Sequence, residues 1–249
     1  TFHADACGYE LADDDVLLQA DQRVNLALDC SFGKHAGRLL EGVTGRPSPV
    51  RALGERTIPY YGVKEAVFPF NMFQEVDPVL GPEMRSTGEV LGIADKTGEA
   101  YFKAQEAANA TLPTEGTVLI SVNKKDKPEV AEVASIFSEC GFKILATGGT
   151  CDLIQKAGIS AERVKKLYEG RPNILDLITN GKIQLIVNSP VGKDSIHDDS
   201  YLRKNAIKAR VPYITTIDAA RAAAEGIRYV KKHGDSEIRS LQEWHSLIK

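Results

Sequence analysis

Serines, threonines, lysines and one asparagine recur in the second half of the chain at points where apolar runs stop. Those residue types share one chemistry: they donate hydrogen bonds or positive charge to anionic oxygen. VLISV at 118–122 gives way to Ser121, Lys124, Lys125 and Lys127. FKILAT at 142–147 gives way to TGGT, in which Thr147 and Thr150 bracket two glycines just before a helical pattern. Glycines permit close backbone approach, and a helix N-terminus offers free N–H groups and roughly half a positive charge, so phosphate is favoured there. VKKL at 164–167 leads to Lys166 and Arg171, and LIV at 185–187 leads to Asn188 and Ser189, which suit a base or sugar. PYITT at 212–216 carries Tyr213 and Thr215.

Taken singly, each stretch has an ordinary structural alternative. TGGT is more often a tight turn with an N-cap, clustered lysines are usually a solvated face, and Asn188 can simply pin a loop. The convergence of several strand ends on donors and cations, with almost no apolar plug among them, points to a phosphate-bearing ligand.

The elements that must position these groups follow from periodicity. Val130, Val133, Ala134 and Phe137 recur at helical spacing within 127–140. Further helices are expected at about 151–157, 173–180, 199–209 and 217–225, with a final amphipathic one at 240–249. Strands alternating with helices through short connections predict a mostly parallel sheet covered on both faces, and ligands of such sheets sit beyond the carboxyl ends of the strands. Upstream, IPYYGVKEAVFPFN alternates apolar residues up to Pro69. A turn-rich loop, the segment Arg85–Gly92 and a helix at about 99–110 follow, and TLPTEG at 111–116 reads as a linker. Residues 1–57 have weak, mixed periodicity, with one helical stretch near Lys34–Glu41.

Composition sets broad bounds. Hydrophobic residues are 43% and charged residues 26% of the 249, ordinary for a globular protein. A net charge of -3 suggests neither nucleic acid nor a membrane surface as partner. No apolar run approaches the roughly 20 residues that span a bilayer. Cys7, Cys30, Cys140 and Cys151 lack CxxC spacing and read as core thiols of a reducing, cytoplasmic setting. His3, His35, His197, His233 and His245 show no ligand spacing, so no metal site is expected. The chain starts at Thr1 rather than Met, as a piece of a longer protein would.

The run EGRPNILDLITNGKIQLIVNSPVGK followed by DDSYLRKNAIKARVPYITT is similar to the allosteric domain of carbamoyl-phosphate synthase large subunits. YYGVKEAVFPFNMFQEVDPVLGPEMRSTGEVLGIA resembles the segment joining their second ATP-grasp unit to that domain. The match runs from about Pro59 to Lys249, close to four-fifths of the chain, and VKEAVFPFN and GPEMRSTGEV are its most specific parts. The resemblance implies a methylglyoxal-synthase-like α/β fold, an open parallel sheet with helices on both faces, over 115–249. It places the end of an ATP-grasp unit, a smaller α+β segment, at 58–114, after a divergent segment at 1–57.

It also implies nucleotide monophosphate effectors such as UMP and IMP, with contacts carried onto Ser121, Lys127, Thr147, Thr150, Lys166 and Asn188. A hydroxyl that the family has two residues after that asparagine is Pro190 here. Ornithine contacts carry onto Glu65, the backbone at Phe68 and Leu80, Tyr213 and Thr215, with Ile214 where the family has an acidic residue. Glu65 alone reads equally as an exposed strand charge. ATP, Mg²⁺ and K⁺ belong to the complete synthetase, whose nucleotide and metal groups this chain lacks, so by itself it is expected to be non-catalytic. The implied partners are a glutaminase small subunit and the rest of the large subunit. An active methylglyoxal synthase is the alternative, with Asp152 or Asp194 as its carboxylate base.

Overall fold

The computed structural model describes residues 58–72, 84–189, 196–234 and 238–248. The larger of its two sheets is parallel and uses the apolar runs in the second half of the chain. Its strands are β3 (Thr117–Ser121), β4 (Lys143–Thr147), β5 (Glu162–Val164), β6 (Leu185–Asn188) and β7 (Tyr213–Ile214), in the order β5-β4-β3-β6-β7. The smaller sheet pairs β1 (Tyr61–Val67) antiparallel with β2 (Gly88–Ala94). A 3-10 turn at Pro69–Asn71 follows β1, where proline can no longer donate to the ladder.

Side chains alternate across a strand, and β3 shows both faces at work. Val118 and Ile120 join Ala146, Val187 and Ile214 in one core, whereas Leu119 joins Leu145 and Ile186 in another. The first core is covered by α2 (Val130–Glu139), α3 (Gly148–Lys156) and α6 (Ile217–His233); the second lies under α4 (Ile174–Thr179) and α5 (Ile196–Lys208). Burial on both faces explains why β3 and β6 read as continuous apolar runs rather than alternating ones. The two-faced parallel sheet expected from the sequence is therefore present.

Helix α1 (Thr97–Ala107) carries the upstream segment into the first core, where Tyr101 is almost fully buried in the cluster that also holds Ala220 and Ala224 of α6. The two helices meet through glycine. A Cβ on Gly98 would lie 2.8 Å from the Gly226 nitrogen, and one on Gly226 would strike the Gly98 carbonyl. Absence of a side chain at both positions is what permits so close a crossing. The last helix, α7 (Leu241–Ser246), docks through Trp244, whose ring sits 5.1 Å from that of Tyr60. Among the described residues no helix is long and apolar enough to cross a membrane.

Several element boundaries differ from the sequence expectation, three of them with a clear local cause. Helix α3 begins at Gly148, not 151, because the glycines of TGGT form its first turn. Strand β5 ends at Val164, since its partner β4 stops opposite at Thr147, and Lys165 and Lys166 lie beyond the ladder. Helix α6 runs on to His233 and closes at Gly234, with φ at +78°, a conformation suited to glycine.

Candidate functional site

Strands β3 and β4 are neighbours in register, so their ends bring Ser121 and Thr147 together. The Thr147 hydroxyl donates to Ser121 Oγ at 3.0 Å. One turn into α3, Thr150 Oγ1 accepts from the Val122 N–H at 3.4 Å, tying the helix start to the exit of β3. Thr147 and Thr150 are buried, and the cap residue Thr147 makes no side-chain bond to the helix's first N–H groups. The first turn carries no acidic side chain either. An uncapped N-terminus with its partial positive charge is thus left facing the strand ends.

Lys127 adds a full charge at the same place. Asn123 Oδ1 accepts from the N–H groups of Lys125 at 2.7 Å and Asp126 at 3.1 Å, fixing the turn after β3. Lys127 follows directly, and its ammonium lies 2.9 Å from where a Cβ on Gly149 would stand. The glycine therefore makes room for the lysine over the helix start. Four of the six nucleotide-site residues expected from sequence, Ser121, Lys127, Thr147 and Thr150, form this one cluster.

Asn188 ends β6 directly opposite Ser121 in the β3–β6 register. Its amide donates to the Tyr213 hydroxyl at 2.6 Å, so it joins two sets of residues that the sequence reading kept apart. Ser189 is already engaged, accepting from the Asn123 N–H at 2.9 Å. Lys166 stands two residues beyond β5 at the start of a 3-10 turn, its ammonium 5.8 Å from the centre of the Tyr168 ring. Lys124 and Lys125 are exposed, as is Arg171, which makes only a 3.5 Å pair with Asp176.

Of the second set, Tyr213 and Thr215 lie at the edge strand β7 and just past it. Phe68 precedes the 3-10 turn and stacks on Phe70, and that turn packs against α5. Leu80 lies outside the described residues. Glu65 corrects its alternative reading as an exposed strand charge: it is only 4% exposed, on β1 opposite Val90. A carboxylate is rarely buried without a role, because removing it from water is costly unless it is paired.

The sequence reading overlooked Arg203. It is 7% exposed on α5, its guanidinium lies 5.6 Å from the centre of the Tyr213 ring, and its Nε has no acceptor. The available signal was its position beside Leu202 and three residues before Ala206, both core residues of that helix.

The lyase alternative is not favoured. Asp152 lies in the second turn of α3, not at its start, and is ion-paired with Arg163 of β5 at the exposed surface. Asp194 lies outside the described residues. Cys140 and Cys151 are buried free thiols, as expected, and burial pushes both thiols above their ordinary range. Cys7 and Cys30 lie outside the described residues.

Residues 129–215 match the family of MGS-like domains, which defines the class of the parallel-sheet unit. The chain belongs to the carbamoyl phosphate synthase large-chain family. It is 48% identical over 226 residues to the carbamoyl phosphate synthase large chain of Gemmatimonas aurantiaca, covering 91% of this chain and 20% of the relative. Identity to the large chain of Acidobacterium capsulatum is 55% over 68% of this chain and 15% of the relative. The protein named carbamoyl phosphate synthase large chain, C-terminal section, of Methanopyrus kandleri is 53% identical over 74% of this chain and 34% of its own length. The likeness reaches further along the chain than the four-fifths expected from motifs. The chain spans about a fifth of the full-length relatives named here.

Proposed function

We propose that this chain is the regulatory portion of a carbamoyl phosphate synthase large chain. Its task is to bind a nucleotide monophosphate of the UMP or IMP type and thereby control carbamoyl phosphate synthesis. The supporting observation is the meeting of Lys127, Thr147 and Thr150 at the uncapped start of α3. A phosphate placed there receives backbone N–H groups, hydroxyls and one ammonium without any rearrangement of the strands. Asn188, one strand over from Ser121, is placed to meet the ribose or base of the same ligand.

Lys166 completes the set by swinging from Tyr168 toward the phosphate, a change open to a long exposed side chain. Glu65, Phe68, Leu80, Tyr213 and Thr215 form a second, amino-acid effector site of the ornithine type. The glutaminase subunit and the remainder of the large chain are the partners, in the cytoplasm, and they contribute ATP, Mg²⁺ and K⁺ chemistry. Effector binding shifts the packing between this portion and the adjoining synthetase unit by a coupling free energy of about 1–3 kcal/mol.

Equilibrium dialysis of UMP and IMP against the 249-residue chain tests the reading. Saturable binding of at least one, displaced by the other, is expected. No binding of either at ligand concentrations of about 5 mM, a level that detects even very weak affinity, would overturn it.

A further inference from the structure

Arg203 is a buried cation at a place where an apolar side chain would serve the fold better. Its exposure is 7%, and its Nε has no acceptor. Leu202 beside it and Ala206 three residues on are both core residues of α5. Among the described residues its partner is the Tyr213 ring, 5.6 Å away. A cation over an aromatic face gains less than it costs to take the charge out of water. Helix α5 runs back between the parallel strands β6 and β7, and helical side chains lean toward the helix N-terminus, so Arg203 leans toward the carboxyl end of β6. There the Asn188 amide donates to the Tyr213 hydroxyl at 2.6 Å. Strand β7 is two residues long and pairs on one flank only, with β6. So short an edge strand does little by itself to fix an aromatic ring.

We infer that Arg203 is a positioning residue for the nucleotide site: it fixes the Tyr213 ring, whose hydroxyl holds the Asn188 amide in the orientation that meets the nucleoside. The relationships run without a break from α5 to the cradle. Arg203 lies over Tyr213, Tyr213 accepts from Asn188, Asn188 stands in register with Ser121, and Ser121 accepts from Thr147. The phosphate itself lies outside the reach of Asn188. Strands β4 and β6 are two positions apart, about 10 Å at about 4.8 Å per strand, and β7 is one position further. A phosphate at Thr147 and Thr150 therefore does not touch Asn188, whereas a nucleoside monophosphate spans the gap. Arg203 thus acts on the nucleoside end of the ligand alone. This inference rests on the nucleotide reading of the strand ends and adds to it a residue that works through two others.

The test compares UMP with inorganic phosphate on the intact chain, reading phosphate by its displacement of labelled UMP. Arg203→Met keeps a long side chain and removes its charge. It lowers UMP affinity by about threefold to tenfold, the size of one hydrogen bond, and moves phosphate affinity by less than about twofold. Its urea midpoint is unchanged or higher, because an apolar chain replaces a buried charge; a residue that merely held the fold together would lower it. Tyr213→Phe keeps the ring under the cation, deletes the hydroxyl and lowers UMP affinity by a similar factor. The double variant loses no more than either single one, as two members of one relay behave. Tyr213→Phe also decides the matter if Arg203→Met fails to fold. Unchanged UMP affinity in either folded variant overturns the inference, and so do additive losses in the double variant. Equal loss of UMP and phosphate affinity overturns it as well, since Arg203 then serves the phosphate or the scaffold. These outcomes leave the nucleotide reading standing, whereas absence of UMP binding to the wild type overturns that reading and this inference together.

Discussion

Gly149 and Lys127 share one space: the ammonium of the lysine sits 2.9 Å from the point that a side chain on the glycine would claim. The neighbour displaced by a methyl group there is the far end of a flexible chain, which moves at little energetic cost. Gly149→Ala is therefore expected to leave stability unchanged or raised by about 0.5–1 kcal/mol, since alanine suits a helix better than glycine. Nucleotide affinity should fall by about tenfold because the cation is pushed off the helix start. Thermal unfolding and a UMP titration on the same variant separate the two effects. A variant that binds normally removes Lys127 from the site.

The glycine pair between α1 and α6 behaves in the opposite way. A methyl group on Gly226 meets the backbone carbonyl of Gly98 and the Cβ of Phe102, and neither can step aside. Gly226→Ala should lower the free energy of unfolding by about 2–3 kcal/mol through overpacking, against a small gain in helix propensity. Urea titration measures this, and a neutral result would show that the two helices separate without penalty.

Acid should loosen α7 before the rest of the fold. Ser240 caps this helix, its hydroxyl accepting from the Glu243 N–H, and Glu243 returns the bond to the Ser240 N–H at 2.6 Å. Those bonds to Ser240 hold the Glu243 carboxyl below the ordinary glutamate value. A carboxyl depressed in the folded state stabilises above its unfolded pKa, and that contribution is lost as pH falls through the folded one. The window therefore opens below the ordinary glutamate value of about 4.3. Trp244 is the only tryptophan of the chain and is buried on Tyr60. Its emission should shift to the red in that window, with Ser240→Ala moving the onset to higher pH. An onset unchanged by Ser240→Ala would detach the effect from the cap.

Cys140 and Cys151 should resist modification in the native state. Both are buried, and desolvation raises both thiols, so little nucleophilic thiolate is present near pH 8. Mass spectrometry after brief treatment with a maleimide should find these two residues unlabelled until denaturant is added. Labelling of either at native-like rates would contradict the packing around α2 or α3.

The parallel sheet was legible because the middles of β3 and β4 and all of β6 are buried on both faces, which forces short β-branched and apolar runs between helical patterns. The meeting of Ser121, Lys127, Thr147 and Thr150 was legible for a related reason: in such a sheet the polar groups gather where those runs stop. Legibility failed where tertiary context overrode a local signal. The glycines of TGGT were expected in a tight turn ahead of the helix and are the first turn of α3, because Thr147 ends its strand and turns directly into the helix. Glu65 read equally as an effector contact and as surface charge, since the pattern of β1 does not reveal that the residue lies buried. Arg203 passed unremarked, and its burial and its place over Tyr213 show that it faces inward. The bond between Asn188 and Tyr213 joins residues 25 positions apart, and nothing in local spacing encodes it.

The most direct measurement is calorimetric titration of UMP into the 249-residue chain and into its Lys127→Ala variant, at low and at moderate salt. The expected result is saturable binding to the wild type that weakens as salt rises. Lys127→Ala should cost about 1.5–3 kcal/mol, a tenfold to hundredfold loss, and should show a shallower salt dependence. Equal affinity and equal salt dependence in the two proteins would contradict the phosphate cradle at the start of α3.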